Sequence, residues 1–383
     1  LNDTLLQAAR TAGLTGIRTE PNYTVVAPPS WKGAPFAWEG NPFAWEGNPT
    51  VQPSSVSLPS LVPAGANPQE AASLFVAQDA FARIRVTENG QRSPRLATET
   101  GEGVLVGLFD SCPTAEALAA LPGGAPAWLH THPAAPANVG GPYVDHGLFN
   151  ASLINFIAPN SEIHLYQVLN GEMYGETTWL ITALANFLNM AEGRSTVTSL
   201  SLGSMYEGYT TMPAIEALLS ELVRRGGVIC AAAGNRARPA LKAAAVPQAQ
   251  MPAALPYVIA VAASNQEAVR ASYSQSGDIA APGGEASETG PNGVDDIIGL
   301  GTASPTGYIR MDGGTSFATP LVAGAAALAL SDLAQQGAPQ NANRWQQVFD
   351  RLATSAIPPA GAEGTLNTTG LGAGIIQVTA PNN

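Results

Sequence analysis

From Gly103 onward, short β-branched or apolar runs alternate with segments whose apolar residues recur at helical spacing. That alternation predicts parallel strands joined by helices, with helices covering both faces of the sheet. Residues 103–109 read as a buried strand that ends at Asp110, and residues 163–168 as the next. Over residues 177–191, Leu180, Ile181, Leu184, Phe187, Leu188 and Ala191 fall on one helical stripe, and Gly193 supplies a stop. A strand follows at 197–202. The unit then repeats: Pro213 stands where a first-turn proline is tolerated, Ile215, Leu218, Leu219, Leu222 and Val223 form the apolar face, and Gly226-Gly227 ends the helix. Strands at 228–232, 257–262 and 297–300 precede a helix that opens around Ser316. The fold class is α/β, three layers (αβα) around a mostly parallel sheet.

Residues 1–102 break this rhythm. A Pro-rich stretch from about Pro28 to Pro68 contains an exact tandem copy, residues 35–41 and 42–48, each reading Pro-Phe-Ala-Trp-Glu-Gly-Asn. Two copies are too few for a stacked repeat architecture. The stretch reads as a duplicated linker whose Trp38 and Trp45 dock on the surface, or as a binding strap.

Composition removes several function classes. The chain of 383 residues has a formal net charge of −12 and only two lysines, Lys32 and Lys242, so it lacks the basic face that a nucleic-acid partner requires. The apolar run 321–330 is about half the roughly 20 residues of a membrane span, is rich in alanine, and suits a buried core helix. No membrane span is expected. Cys112 and Cys230 are too few for a disulfide framework, and a free buried thiol is the ordinary reading of each. The chain opens on Leu1 without a signal-peptide pattern, so location is not legible directly.

Four positions can carry chemistry. Asp110 lies at the C-terminal edge of a parallel strand, where such sheets place their sites, although a turn aspartate looks the same. His146-Gly147 starts a segment with Phe149, Leu153, Ile154 and Ile157 at helical spacing, closed by Ala158-Pro159, which anchors the imidazole on a packed element. Of the other histidines, His130 and His132 flank Thr131 in a Pro/Gly-rich loop as solvated residues or an incidental metal contact, and His164 reads as a satisfied strand residue. Asn235 follows Ala231-Ala232-Ala233-Gly234, and an amide there can donate to a developing oxyanion, though Asn after Gly is also a common turn residue. Ser316 follows Gly313-Gly314-Thr315 at the start of a helix, as a nucleophile or as an N-cap.

The order Asp110, His146, Asn235, Ser316 on this alternating chain resembles that of the subtilisin-like serine proteases, the subtilases. The matching stretches are Gly103-Val-Leu-Val-Gly-Leu-Phe-Asp110-Ser111, His146-Gly147 with its helix and Ala158-Pro159, Ser201-Leu202-Gly203, Ala231 to Asn235, and Gly314-Thr315-Ser316-Phe317-Ala318-Thr319-Pro320 with Val322-Ala323-Gly324. Rival signatures fail: there is no Gly-x-Ser-x-Gly elbow and no His-Glu-x-x-His helix.

The resemblance implies a secreted or extracytoplasmic serine endopeptidase made as a precursor. Ser316 is then the nucleophile, His146 the base, Asp110 its orienting partner, and Asn235 an oxyanion donor. Ser201, Leu202 and Gly203, with Ala232, Ala233 and Gly234, are the two segments between which a peptide substrate binds as an extended strand. No cofactor is expected. The usual calcium site after the catalytic histidine is expected to be absent, because the chain to Ala158-Pro159 is short. The sequence departs from the family pattern at Phe149, Ser152 and Phe317, and no residue of 236–255, which includes Arg236, Arg238 and Lys242, can be assigned to a specificity pocket. Gly16-Ile-Arg-Thr-Glu-Pro-Asn-Tyr-Thr24 resembles the last strand of the family's inhibitory propeptides. The implied organisation is a propeptide-like remnant over 1–28, a linker over 29–72 and a catalytic domain over 73–383, with the N-terminal segment as its inhibitor. The rival readings are a catalytically silent or autoinhibited protein on the same fold and a cysteine protease built on Cys112 or Cys230.

Overall fold

The computed structural model describes residues 24–26, 60–62, 66–133, 140–204, 212–235, 246, 248–285, 295–358 and 370–378. The tandem copies with Trp38 and Trp45, the propeptide-like stretch apart from Thr24, and Arg236, Arg238 and Lys242 lie outside the described residues.

In chain order the elements begin with β1 (Thr24–Val26), β2 (Ser60–Leu61), α1 (Pro68–Ala77), α2 (Asp79–Arg83), β3 (Thr87–Glu88), β4 (Gln91–Arg92) and β5 (Val104–Asp110). Then come α3 (Ala115–Ala119), β6 (Leu129–His132), α4 (His146–Ile157), β7 (Glu162–Gln167), β8 (Tyr174–Glu176), α5 (Thr177–Met190), β9 (Ser195–Leu200), β10 (Gly203–Ser204) and α6 (Pro213–Arg224). The last are β11 (Val228–Ala232), β12 (Ile259–Ser264), β13 (Ile279–Pro282), β14 (Ile297–Leu300), β15 (Tyr308–Met311), α7 (Thr315–Gln335) and α8 (Arg344–Ser355).

Seven strands form one sheet in the order β13-β12-β11-β9-β5-β7-β6, and every neighbouring pair in it is parallel. The two-residue period of a strand divides its apolar side chains between two cores. Val104, Val106 and Leu108 of β5 join the core under α4, α7 and α8, with Phe149, Ile154, Leu321, Val322 and Val348. Leu105 and Phe109 face the other way, into the core under α5 and α6, with Leu180, Leu184, Ile215 and Leu219. This is the expected three-layer α/β architecture.

Helix α7 crosses β9, β11, β12 and β13. By length and composition it would suit a membrane, but 83% of its apolar window is buried inside the protein, as a core helix requires.

Some elements differ from expectation. The strand at 297–300 has the expected bounds but belongs elsewhere: β14 pairs antiparallel with β15, which pairs antiparallel with β2, in a separate three-stranded sheet. Residues 129–132, expected as loop, form the edge strand β6. In helix α1, Asn67 and Glu70 close the N-terminus as a capping box, and Phe75 packs edge-on against Phe81 at 5.3 Å.

Strand β1 lies between β8 and β10 and is antiparallel to both, with Val25 opposite Gly175 and Ser204, and Val26 opposite Tyr174 and Gly203. Cys112 and Cys230 are free and buried. Burial pushes each thiol up to about 12, so neither supplies the thiolate that a cysteine protease needs at neutral pH.

Candidate active site

Asp110 is the last residue of β5 and His146 the first of α4. Gly147 lets these two ends meet: a Cβ there would stand 2.1 Å from the Ser111 carbonyl oxygen and 2.9 Å from Asp110 Cβ, so a larger residue would push α4 off the strand. The close approach sets His146 Nδ1 2.7 Å from Asp110 Oδ1. The Ser111 N–H donates to the same oxygen at 2.7 Å, and the Asn150 amide donates to Oδ2 at 3.1 Å. Asp110 is fully buried, so these donors replace the water that a carboxylate would otherwise hold. The sequence reading missed Asn150. Its only signal was an amide one helical turn after His146, on a helix that is otherwise almost wholly buried and apolar.

Across the sheet end, Asn235 follows β11 and faces the first turn of α7. The Thr315 N–H and hydroxyl both donate to Asn235 Oδ1, at 3.0 and 2.7 Å, and Thr315 Oγ1 accepts from the Gly234 N–H at 3.2 Å. These bonds fix the amide's orientation, with Oδ1 toward Thr315 and the Nδ2 donor on the opposite side.

Ser316 is fully buried, and its Oγ has no hydrogen-bond partner among the described residues. The structure therefore joins Asp110 to His146 and Asn235 to the turn bearing Ser316, but does not close a bond between Ser316 and His146. Catalytic hydrogen bonds are often long until substrate arrives. The two halves are nonetheless neighbours: the Phe317 ring lies 5.5 Å from the His146 ring, tilted 50° to it.

Ser201 is tied to the same turn by the chemistry of proline. Pro320 has no N–H, so the Ser316 carbonyl four residues earlier lacks its helical donor. The Ser201 hydroxyl supplies one at 2.8 Å. Leu202 and Gly203 continue from Ser201 into β10, while Ala232 ends β11 and Ala233 donates its N–H to Val261 O at 3.0 Å.

Between these two segments stands Gln250, which the sequence reading also missed. Its N–H donates to Ala233 O at 3.0 Å. A Cβ on Gly203 would come 2.2 Å from Gln250 Nε2, and one on Gly234 3.0 Å from its Cδ. The carboxamide thus rests between two glycines whose missing side chains leave it room. Its position in a stretch without a legible pattern gave no advance signal.

The three residues that depart from the family pattern are mutually accommodated. Phe149 and Phe317 pack at 5.0 Å between ring centroids. The Ser152 hydroxyl donates to Phe149 O at 2.6 Å and accepts the Leu300 N–H at 3.1 Å, which joins α4 to β14.

The remaining histidines gather elsewhere. His130 and His132 project from β6 rather than from a loop, and His130 is in register with His164 of β7. His164 is a satisfied strand residue: its Nδ1 is 2.7 Å from His132 Nε2 and its Nε2 2.8 Å from Glu162 Oε1. Burial, first among the causes, lowers the pKa of both His132 and His164. Hydrogen bonds from Arg194 and His164 hold the Glu162 carboxyl down at about 2.

Comparison with known proteins identifies relatives of the chain. The chain is 32% identical over 178 residues to subtilisin of Bacillus pumilus, which is 46% of this chain and 56% of that protein. It is equally identical over the same length to subtilisin E of Bacillus subtilis (strain 168), 40% of which is covered. The chain thus spans about half the length of the curated relatives it matches. Among solved structures, the prenylagaramide maturation protease PagA superposes with a TM-score of 0.56 at 24% identity, over 74% of this chain and 95% of that one. A cold adapted subtilisin-like serine proteinase gives 0.54 at 22% identity, over 80% and 100%. Likenesses at that identity establish the fold. The model of the subtilase family, Peptidase_S8, matches residues 135–372 and begins beyond Asp110, whose place therefore rests on its 2.7 Å contact with His146. With that match over more than half its length, and with the sheet order and site geometry above, the chain belongs to the subtilase family.

Proposed function

We propose that this subtilase is a serine endopeptidase made in a latent form, with Ser316 as nucleophile, His146 as general base, Asp110 as its orienting carboxylate and Asn235 as oxyanion donor. The observation that carries the reading is the buried 2.7 Å contact between His146 Nδ1 and Asp110 Oδ1, at the sheet end that also holds Asn235 and Ser316. Ser316 Oγ attacks the peptide carbonyl carbon while His146 Nε2 takes its proton, and the imidazolium is held by Asp110. The carbonyl oxygen, now negative, accepts from Asn235 Nδ2 and the Ser316 N–H. His146 then gives its proton to the leaving amine, and water repeats the sequence to release the acid.

An extended substrate is read as an added strand against Ser201 to Gly203, with its side chain between that segment and Ala232 to Gly234. In this reading Gln250 limits the side chain accepted. Gln250→Gly removes the carboxamide between the two glycines, and peptides with a bulky residue before the cleaved bond are expected to gain about tenfold in kcat/KM relative to small ones. Competition between matched peptides measures this; an unchanged ratio would remove Gln250 from the pocket.

The latent state is supported by β1, which follows directly on the propeptide-like Glu20-Pro-Asn-Tyr23 run and pairs with Gly203, the residue assigned to substrate. The N-terminal segment is thus read as an occupant of the groove. Helix α4 runs without a break from His146 to Ile157, which supports the expected lack of a calcium loop between His146 and Ala158-Pro159. Export as a latent precursor, to an extracytoplasmic site, fits an enzyme that carries its own groove strand.

A serine-directed fluorophosphonate tests both parts. Val25→Pro takes a donor from the middle strand of a three-stranded ladder, and is expected to raise the labelling rate of the folded chain at least tenfold. Labelling of both proteins at one rate would discard the latent form, and labelling of neither the intact nor the N-terminally clipped chain would discard the enzyme.

A further inference from the structure

Three of the four histidines of the chain stand together on one face of the β6–β7 edge, remote in role from the fourth. His130 and His132 alternate on β6, and Glu162 and His164 alternate on β7, so strand periodicity aims all four to the same side. One ligand atom each from His130, Glu162 and His164 lies within 4.8 Å of the others. We propose that His130, Glu162 and His164 form a binding site for a divalent transition metal, with Zn2+ the fitting ion, that clips the edge strand β6 to β7.

Two imidazoles and a carboxylate are a borderline donor set of the kind that takes zinc and its neighbours, with a water completing four-coordination. Tetrahedral ligands about 2.0–2.1 Å from zinc stand about 3.3 Å apart. Glu162 Oε1 and His164 Nε2, now 2.8 Å apart, part slightly around the ion, and His130, the exposed member, turns out of its stack on the His164 ring to complete the set. Glu162 is prepared for one metal bond: Arg194 Nη2 holds Oε2 at 2.5 Å, which leaves Oε1 for the ion.

The second ring explains His132. Without metal, a neutral His164 that donates from Nε2 to Glu162 accepts at Nδ1 from His132 Nε2. With metal on Nε2, the proton moves to Nδ1 and the same 2.7 Å contact runs in reverse, with His132 now accepting. A neutral imidazole serves either way, so the pair keeps its proton count while the metal replaces one hydrogen bond. His132 is a positioning residue that fixes the ring and tautomer of a ligand, as outer partners of metal-bound histidines do.

The full chain carrying Ser316→Ala, chosen to prevent self-cleavage, is titrated with Zn2+ against a chromophoric chelator, and with Co2+ for its visible ligand-field bands. One Zn2+ per chain and a four-coordinate Co2+ spectrum are expected. His130→Ala, at an exposed position that does not endanger folding, should abolish both, and His132→Phe should weaken Zn2+ about tenfold. His146→Ala should bind as well as the parent. Failure of the parent to compete with the chelator would overturn the site, and so would undiminished binding by His130→Ala.

Discussion

Ser316→Ala should lower peptide hydrolysis by the N-terminally clipped protein about 10⁶-fold, the loss known for subtilisin, a member of the same family, rather than one derived from this structure. The local chemistry says what should remain. The Asn235 amide and the backbone N–H of residue 316 stay in place, so a residual rate above that in water is expected from oxyanion stabilisation and binding alone. Stability should move the other way. Ser316 Oγ is fully buried and makes no hydrogen bond among the described residues, and a hydroxyl in that state costs about 1–3 kcal/mol. Removing it on a helix should therefore raise the melting temperature. A variant within tenfold of the parent's kcat would end the assignment of Ser316, and a lowered melting temperature would show that the hydroxyl has a structural partner after all.

Asp110→Asn should cost about 10⁴-fold in kcat with the fold retained. Three donors converge on the two oxygens of Asp110: Ser111 N–H and His146 Nδ1 on Oδ1, and Asn150 Nδ2 on Oδ2. An asparagine has one acceptor for them, so in either orientation its NH2 group meets a donor. The variant also loses the negative charge that holds the imidazolium formed as Ser316 gives up its proton. Steady-state kinetics of the clipped variant, beside its circular dichroism, checks the claim. A native spectrum with undiminished kcat would leave His146 without need of a carboxylate.

Much of this was readable in the sequence, and the misses have identifiable causes. Residues 228–232 appear with the expected bounds because an unbroken apolar run follows Gly226-Gly227, and a strand buried on both faces requires such a run. Strand β6 escaped because Leu-His-Thr-His, flanked by Pro126 and Pro133, carries the polar residues that an edge tolerates and a central strand does not. The run 297–300 was recognised as strand, but nothing in four residues says which sheet they join. Asp110, His146, Asn235 and Ser316 were singled out through their order along the chain. Asn150 and Gln250 were not, because their positions are defined by what stands across from them: a carboxylate on another strand, and two glycines distant in sequence.

On the reading proposed above, strand β1 shares a polypeptide with the groove it fills, and residues 27–59 span the interval to β2. A tethered segment faces its site at a fixed effective concentration, on the order of millimolar for a short flexible tether and lower as it lengthens. Diluting the protein leaves that value untouched. One cut anywhere in the interval changes the arithmetic, since the released strand then competes at its bulk concentration and is lost on dilution. Before the cut, occupancy of the groove is independent of how much protein is present; afterward it follows mass action. The same few backbone hydrogen bonds would thus give storage that does not leak when the protein disperses, and a release that dispersal itself drives to completion.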